Sequence, residues 1–469
     1  MRGHVTVPPD ASQIASAQAL GGYPAVHVFC WPVANLWRDR FHLEQAGTTW
    51  SREVVAGLTT FVTMAYIVVV NPAILKAAGM PAEASMVATI VTAIFGTLLM
   101  GIYANRPFAV AAYMGENAFV AYTVVQSLGY RWQAALAAVF VAGAIFVLLT
   151  LLRLRQWLVE AIPPSLRHSF AVGIGLFIAF VGLNETGIVL LGSPGAPVQT
   201  GHLTSAPVMV AIFGFLLIAL LMIRRFPAPI LLGILVTSGL AYLVGVAAPP
   251  TRLVSLPPSL APVAWKLDFR GIWTIGFFPV VLTIFVMAFV DTMGTLIGVS
   301  ARAGLLDENG NLPQIERPML VDALSTMFAA VVGTSTSGAF IESATGVEAG
   351  GRTGLTAVVT ALCFAGTLFF SPLITAIPPQ AYGPALIVVG LLMLSPITRI
   401  NFGDFTELIP AFAVVALMSF TYNIGIGITA GFVLYPFCKL VAGRPREVKP
   451  GLWVLALLSL AFFIFYPYP

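Results

Sequence analysis

Residues able to do proton and hydrogen-bond chemistry stand where the chain is otherwise apolar. They are Asp291 in FVMAFVDTMGTLIG, Glu342 in TSTSGAFIESATGVEAGGRTGLT, and Gly115, Glu116 and Asn117 in PFAVAAYMGENAFVAY. An ionisable side chain inside a bilayer costs at least roughly 2.5–3.5 kcal/mol and is a functional-site hypothesis by default. Backbone in hydrocarbon must satisfy its own hydrogen bonds, so a Gly- and Ser-rich break at membrane depth is tolerable only where it lines a cavity or is buried in protein. Asp291 lies about 13 residues into its apolar run, near the middle of a hydrocarbon core about 30 Å thick at about 1.5 Å of rise per residue. Thr295 is one turn further on the same face. Two carboxyls facing one dehydrated cavity cannot both ionise cheaply, so Asp291 and Glu342 together would make a proton-coupling site in which at least one holds a proton. Against this stand plainer readings: a polar loop that leaves Glu342 in water, and an Asp291 bonded to a neighbouring helix for structure alone. Phe119, Phe289 and Phe340 could offer ring faces for a flat ligand, although ordinary packing is the commoner role for each.

The elements that position these groups follow from composition. With 58% hydrophobic and 9% charged residues over 469 positions, the chain is an all-α polytopic membrane protein, and its partner is the lipid bilayer. The net charge of +4 does not indicate nucleic acid, because the basic residues sit singly at the ends of apolar runs. A membrane-embedded enzyme would need a nucleophile with its base or a metal cluster. No HExxH or GxSxG occurs, the five histidines read as leader or loop residues, and the three cysteines have no metal-ligand spacing, so no metal or cofactor is expected.

Apolar runs place spans at about 54–71, 84–103, a broken 107–127, 132–152, 165–184, 206–224 and 228–248, then 278–300, 318–334, a broken 336–351, 354–374, 384–398, 405–421 and 424–441. A further stretch, 452–466, suits either an extra crossing or an interfacial helix. This layout puts most arginines on one side and only Lys76, Arg131, Arg252, Lys266 and Arg270 on the other, which predicts a cytoplasmic amino terminus. An odd number of spans per half inverts the second half, and short Gly-interrupted segments at matching places in both halves are the signature of a secondary transporter's binding site. The third span of each half qualifies. Asn71 and Pro72 read as the end of the first span, Trp37 to Glu53 as a charged amphipathic approach to the membrane, and Arg352 as a cap on nearby carbonyls or a partner for Glu348.

FVTMAYIVVVNPAIL, MGENAFVAYTVV, FVDTMGTLIG and SGAFIESATGVEAGGRTGLT together resemble the AzgA-type purine permeases of the nucleobase:cation symporter family 2, from about Phe41 to Arg444. The resemblance implies fourteen spans in a 7+7 inverted repeat with core and gate domains, and short extended strands before half-helices in spans 3 and 10, at Phe108–Ala112 and Gly338–Ile341. It divides the chain into a leader (1–36), core (37–153), gate (154–250), an extracellular connection (251–277), core (278–375), gate (376–441) and a tail (442–469). It implies import of a purine nucleobase, of the adenine, guanine, hypoxanthine or xanthine class, by proton symport across the cell membrane. The site would be built from Asp291, Glu342, Gly115 and Asn117, with Glu116, Thr295, Phe289 and Phe340 beside them. Glu116 departs from the family's usual residue there. A same-fold carrier of uracil or of an inorganic anion is the alternative, and a homodimer is the assembly to test.

Overall fold

The computed structural model describes residues 40–152, 161–193, 196–270, 277–306 and 312–465. The leader 1–36 with Cys30, together with Arg153, Arg155 and Glu160, lies outside the described residues. Span 1 is Trp50–Ala77, two helices whose junction at Ala65 and Tyr66 is tightened by i→i+3 bonds from Val68 and Val69. Span 2 is Ala82–Ile102, span 4 Trp132–Leu151, span 5 Pro164–Glu185, span 6 Ala206–Ile223 and span 7 the shorter Pro229–Leu243. Span 8 is Phe278–Ala303, span 9 Glu316–Val332, span 11 Gly354–Thr375, span 12 Pro379–Arg399, span 13 Phe405–Phe420 and span 14 Ile424–Val441. Among the described residues, nine helices are long and apolar enough to cross a membrane by length and composition, and the shorter and broken segments complete the inverted 7+7 arrangement.

Spans 3 and 10 are the broken ones. Span 3 runs as strand β1 (Val110–Ala112), a half-helix (Met114–Ala118) and a wide π-type turn (Phe119–Ser127). A surface hairpin, β2 (Val189–Ser193) with β3 (Ala196–Thr200), follows span 5. Span 10 runs as strand β4 (Ser337–Ala339) and a half-helix (Ser343–Glu348). β1 starts two residues later than the stretch expected from sequence and ends at the same residue, while β4 starts one residue earlier than expected and ends two residues earlier.

Two groups of helices pack separately. Spans 1, 2, 4, 8, 9 and 11 contact one another around the broken segments and form the core, while spans 5, 6, 7, 12, 13 and 14 form the gate. Span 9 ends at Gly333, whose φ of +103° turns the chain into the broken segment. The connection after span 7 folds back over the core: Trp265 N–H donates to Val331 O at 2.8 Å and Asp268 N–H to Gln133 O at 3.1 Å. The last helix, Pro450–Phe465, lies along spans 14 and 8.

Three sequence expectations change. Asn71 and Pro72 do not end span 1; the helix continues to Ala77, and Asn71 is wholly buried. Glu53 is no surface charge but is fully buried, where it accepts from Arg352 N–H (2.8 Å), Thr356 N–H (3.1 Å) and the Thr356 hydroxyl (2.6 Å). It thus supplies the acceptors that the first turn of span 11 lacks within its own helix. His168 lies in the second turn of span 5 rather than in a loop. Arg352 does cap carbonyls, donating to Val347 O at 2.7 Å and Gly351 O at 2.8 Å.

Candidate substrate site between the broken spans

β1 and β4 pair antiparallel, Val110 with Ala339, Ala111 with Gly338 and Ala112 with Ser337. Three-residue strands cannot satisfy their outer backbone groups by pairing alone, and a threonine on each side does so. Thr97 of span 2 accepts from Val110 N–H and donates to Val110 O, both at 2.9 Å. Thr326 of span 9 accepts from Ser337 N–H at 3.3 Å and donates to Ser337 O at 2.7 Å. Each threonine serves the first residue of its strand, so the two halves repeat the device about a local two-fold axis. The aromatic that follows each strand repeats as well, and Tyr113 and Phe340 lie parallel at 8° with centroids 6.3 Å apart. Gly338 has to be glycine, since a Cβ there would fall 2.3 Å from the Tyr113 hydroxyl and 2.4 Å from its ring.

This crossing delivers the two half-helices to one place, each with its amino-terminal amides at mid-span, where a helix terminus favours electronegative groups. On the span 3 side, Glu116 and Asn117 are fully buried. Asn117 donates to Asn71, which in turn donates to Thr89 at 2.8 Å and Thr334 at 3.0 Å. Among the described residues neither carboxyl oxygen of Glu116 has a hydrogen-bond partner, and Asp291 is an electrostatic neighbour. Gly115 backs onto the gate, with Ile174 of span 5 so close that a Cβ would lie 2.6 Å from it. On the span 10 side, Glu342 stands immediately before the half-helix, and its side chain accepts from Tyr66 at the span 1 junction at 2.5 Å. Ile341 beside it is 62% exposed in the middle of a broken span, which marks the edge of an open space.

Span 8 supplies the third wall. Asp291 and Thr295 are half-buried, and Gly294 and Gly298 are exposed, with nothing within 4 Å of a Cβ built on either. The four share one helical stripe, which leads from the carboxyl toward the arginine-rich end of the bundle. Thr292 is buried and shares a 3.1 Å hydrogen bond with the Tyr113 hydroxyl, and that hydroxyl also donates to Asp322 of span 9 at 3.4 Å.

Sequence reasoning paired Asp291 with Glu342; in the fold Glu116 is also an electrostatic neighbour of Asp291, and Glu342 is held by Tyr66. Phe340 lies at the site, stacked on Tyr113. Phe289 is 3% exposed and packs on Phe146 and Phe285, and Phe119 is 2% exposed, so neither offers a free ring face. Tyr66, Tyr113 and Asp322 were missed, and Asn71 was read only as a helix end. Asp322 accepts from Ala339 N–H at 3.0 Å and so pins β4, a role that a lone acid in an apolar run could have signalled.

Residues 51–443 match the family described as the Permease family, the nucleobase–ascorbate transporters. The chain belongs to that family. It is 42% identical to the adenine permease AdeP of Escherichia coli over 91% of this chain and 95% of that one. It is 39% identical to the guanine/hypoxanthine permease PbuG of Bacillus subtilis over 91% of this chain and 99% of that one. Among solved structures, the transmembrane domain of a cyanobacterium bicarbonate transporter, BicA, superposes with a TM-score of 0.61 at 15% identity, over 81% of this chain and 97% of that one, which shows a shared fold. A permease, and not an enzyme, is thereby established.

Proposed function

We propose that this permease is a secondary active transporter that imports purine nucleobases by proton symport, with the arginine-rich end in the cytoplasm of a cell-membrane-embedded chain. The observation that supports the reading is the β1–β4 crossing, which sets the half-helix carrying the buried Glu116 and Asn117 beside the strand that leads to Glu342, with Asp291 of span 8 an electrostatic neighbour of Glu116. A purine is flat, with a mixed donor and acceptor edge. Carboxyls that accept from ring N–H and amino groups, an amide that can do both, and half-helix amides suit that edge. The names of the relatives, adenine and guanine/hypoxanthine permeases, support the same substrate class.

Proton coupling follows from the chemistry of the acids. Glu116 is buried without a donor beside Asp291, and two carboxyls so placed cannot both carry charge cheaply. In this reading a proton taken up with the base neutralises the pair, the core then rocks against the gate, and the Gly294–Gly298 stripe gives release toward the cytoplasm. An inorganic anion fits poorly, since three acids would face it.

Uptake of a labelled purine, challenged with unlabelled adenine, guanine, hypoxanthine, xanthine and uracil, tests the substrate class. Uptake should fall as external pH rises and collapse with a protonophore, and Asp291→Asn should keep binding while losing accumulation against a gradient. Sodium-driven, pH-insensitive uptake contradicts the coupling, and competition by uracil alone contradicts the substrate.

A further inference from the structure

At the end of the bundle opposite the arginines, the core and gate are fastened by one carboxylate. Glu185, the last residue of span 5, accepts from the Tyr122 hydroxyl of span 3 at 3.3 Å and from the Tyr382 hydroxyl of span 12 at 3.2 Å. Tyr122 is core; Glu185 and Tyr382 are gate. A second tie runs beside the first: the Thr123 hydroxyl of span 3 donates to Tyr422 O at 3.1 Å, in the turn between spans 13 and 14. Tyr422 holds a φ of +55°, a conformation that a tyrosine rarely adopts. Its ring meets Tyr122, Phe177 and Phe180 edge-on, with centroids 5.7, 5.0 and 5.6 Å apart. Beneath this cluster Gly425 of the gate sits against Thr283 of span 8, where a Cβ would lie 3.2 Å from the hydroxyl. The seam is therefore closed at this end, while the Asp291–Gly298 stripe is open toward the other.

We propose that Glu185, with Tyr122, Tyr382 and Tyr422, is the outer latch of the transporter: it holds the inward-open arrangement and must break each time the core swings to face outside. Only the word outer rests on the orientation proposed above; the latch itself is independent of which base is carried. Its logic is asymmetric. The Tyr122 bond crosses from core to gate and is lost on opening, whereas the Tyr382 bond lies within the gate and can persist. Tyr382 keeps the half-buried carboxylate aimed at Tyr122 and leaves it a donor when the seam opens, since a partly desolvated carboxylate without a donor is costly.

Two cysteine reporters read the latch without any substrate. In a background with Cys30, Cys363 and Cys438 replaced by serine, Thr283→Cys lies under the latch and Gly298→Cys lies on the open stripe. Each is labelled with a membrane-impermeant maleimide, in right-side-out and in inside-out vesicles. Tyr122→Phe removes one hydroxyl and leaves the ring. It should raise labelling of Thr283→Cys from outside by about tenfold, the effect of one hydrogen bond to a charged group, and lower labelling of Gly298→Cys from inside. Glu185→Gln should act in the same direction, and Tyr382→Phe more weakly. Loosening of the fold would raise both reporters together, and no change in either would leave the seam closed without Glu185; either result overturns the proposal. Because no base is present, the outcome stands apart from the success or failure of the purine assignment.

Discussion

Asn71→Ala should weaken purine binding although Asn71 need never touch the base. Asn71 joins three elements: it accepts from Asn117 of the span 3 half-helix and donates to Thr89 of span 2 and to Thr334, which leads into span 10. Thr89 has another partner, Ser85 O at 2.7 Å, so it is not orphaned by the change. The Asn117 amide and the Thr334 hydroxyl are. Leaving a buried polar group unpaired costs roughly 1–3 kcal/mol. Interhelical bonds in membrane proteins average only about 0.6 kcal/mol, because the disordered reference also finds partners. For the three bonds lost, the second figure gives about 2 kcal/mol, which is also the floor of the first for two orphaned groups. We therefore expect a stability loss of about 2 kcal/mol, and an affinity loss near tenfold from an Asn117 amide free to turn away from the base. The assay is a double-mutant cycle on purified protein, with Asn71→Ala, Asn117→Ala and the pair, read by binding of a labelled purine. If Asn71 acts through Asn117, the pair binds no worse than Asn117→Ala alone. Strictly additive losses would refute the argument.

Three further outcomes follow from other contacts. Gly338→Ala drives a methyl into the Tyr113 ring at the β1–β4 crossing, where both sides are buried backbone and ring; transport should fall at least tenfold with expression retained, and normal uptake would show that the crossing can give way. Glu53→Ala strips the acceptors from the start of span 11 and should cost at least about 3 kcal/mol of stability in a melting assay, with Glu53→Gln milder because one acceptor oxygen remains. Where the tail meets the gate, the Thr406 hydroxyl and Arg444 hold the Asp404 carboxyl below the usual carboxylate range, and Arg444 and Lys439 do the same for Glu447. A lowered carboxylate contributes stability that is complete above its unfolded value of about 4 and is lost as pH falls below it. Limited proteolysis between span 14 and the last helix should accordingly be slow at neutral pH and quicken below about pH 4; indifference to pH would detach the effect from these two acids.

Much of this fold was legible because hydrophobic run length and arginine placement report directly on membrane crossing. The break in span 10 was equally plain, since a stretch so rich in Gly, Ser and Thr at membrane depth leaves backbone that cannot lie in lipid. What sequence could not supply was the pairing of groups far apart in the chain. Asp291 and Glu342 are the two acids most conspicuous against apolar surroundings, yet Glu116, on the half-helix that follows β1, is also an electrostatic neighbour of Asp291. Asn71 beside Pro72 has the local look of a helix end; only the approach of Asn117, Thr89 and Thr334 makes it a buried hub. Glu53 looked like a surface charge for the same reason, because its partners at Arg352 and Thr356 are some three hundred residues away. Phe289 could not be decided between packing and binding, since a phenylalanine near a polar residue gives no sign of which face of its helix is turned to the site.

The central claim is that a purine is held where the half-helix of span 10 begins, and equilibrium binding to purified protein tests it most directly. Glu342 stands at that beginning, held by Tyr66, while Glu348 closes the same half-helix six residues on and is exposed. Labelled purine titrated against the two variants should show Glu342→Gln weakened about tenfold or more, close to 1.4 kcal/mol or greater, with Glu348→Gln near the unaltered protein. Normal binding by Glu342→Gln together with a loss in Glu348→Gln would put the site on the wrong turn of the broken span.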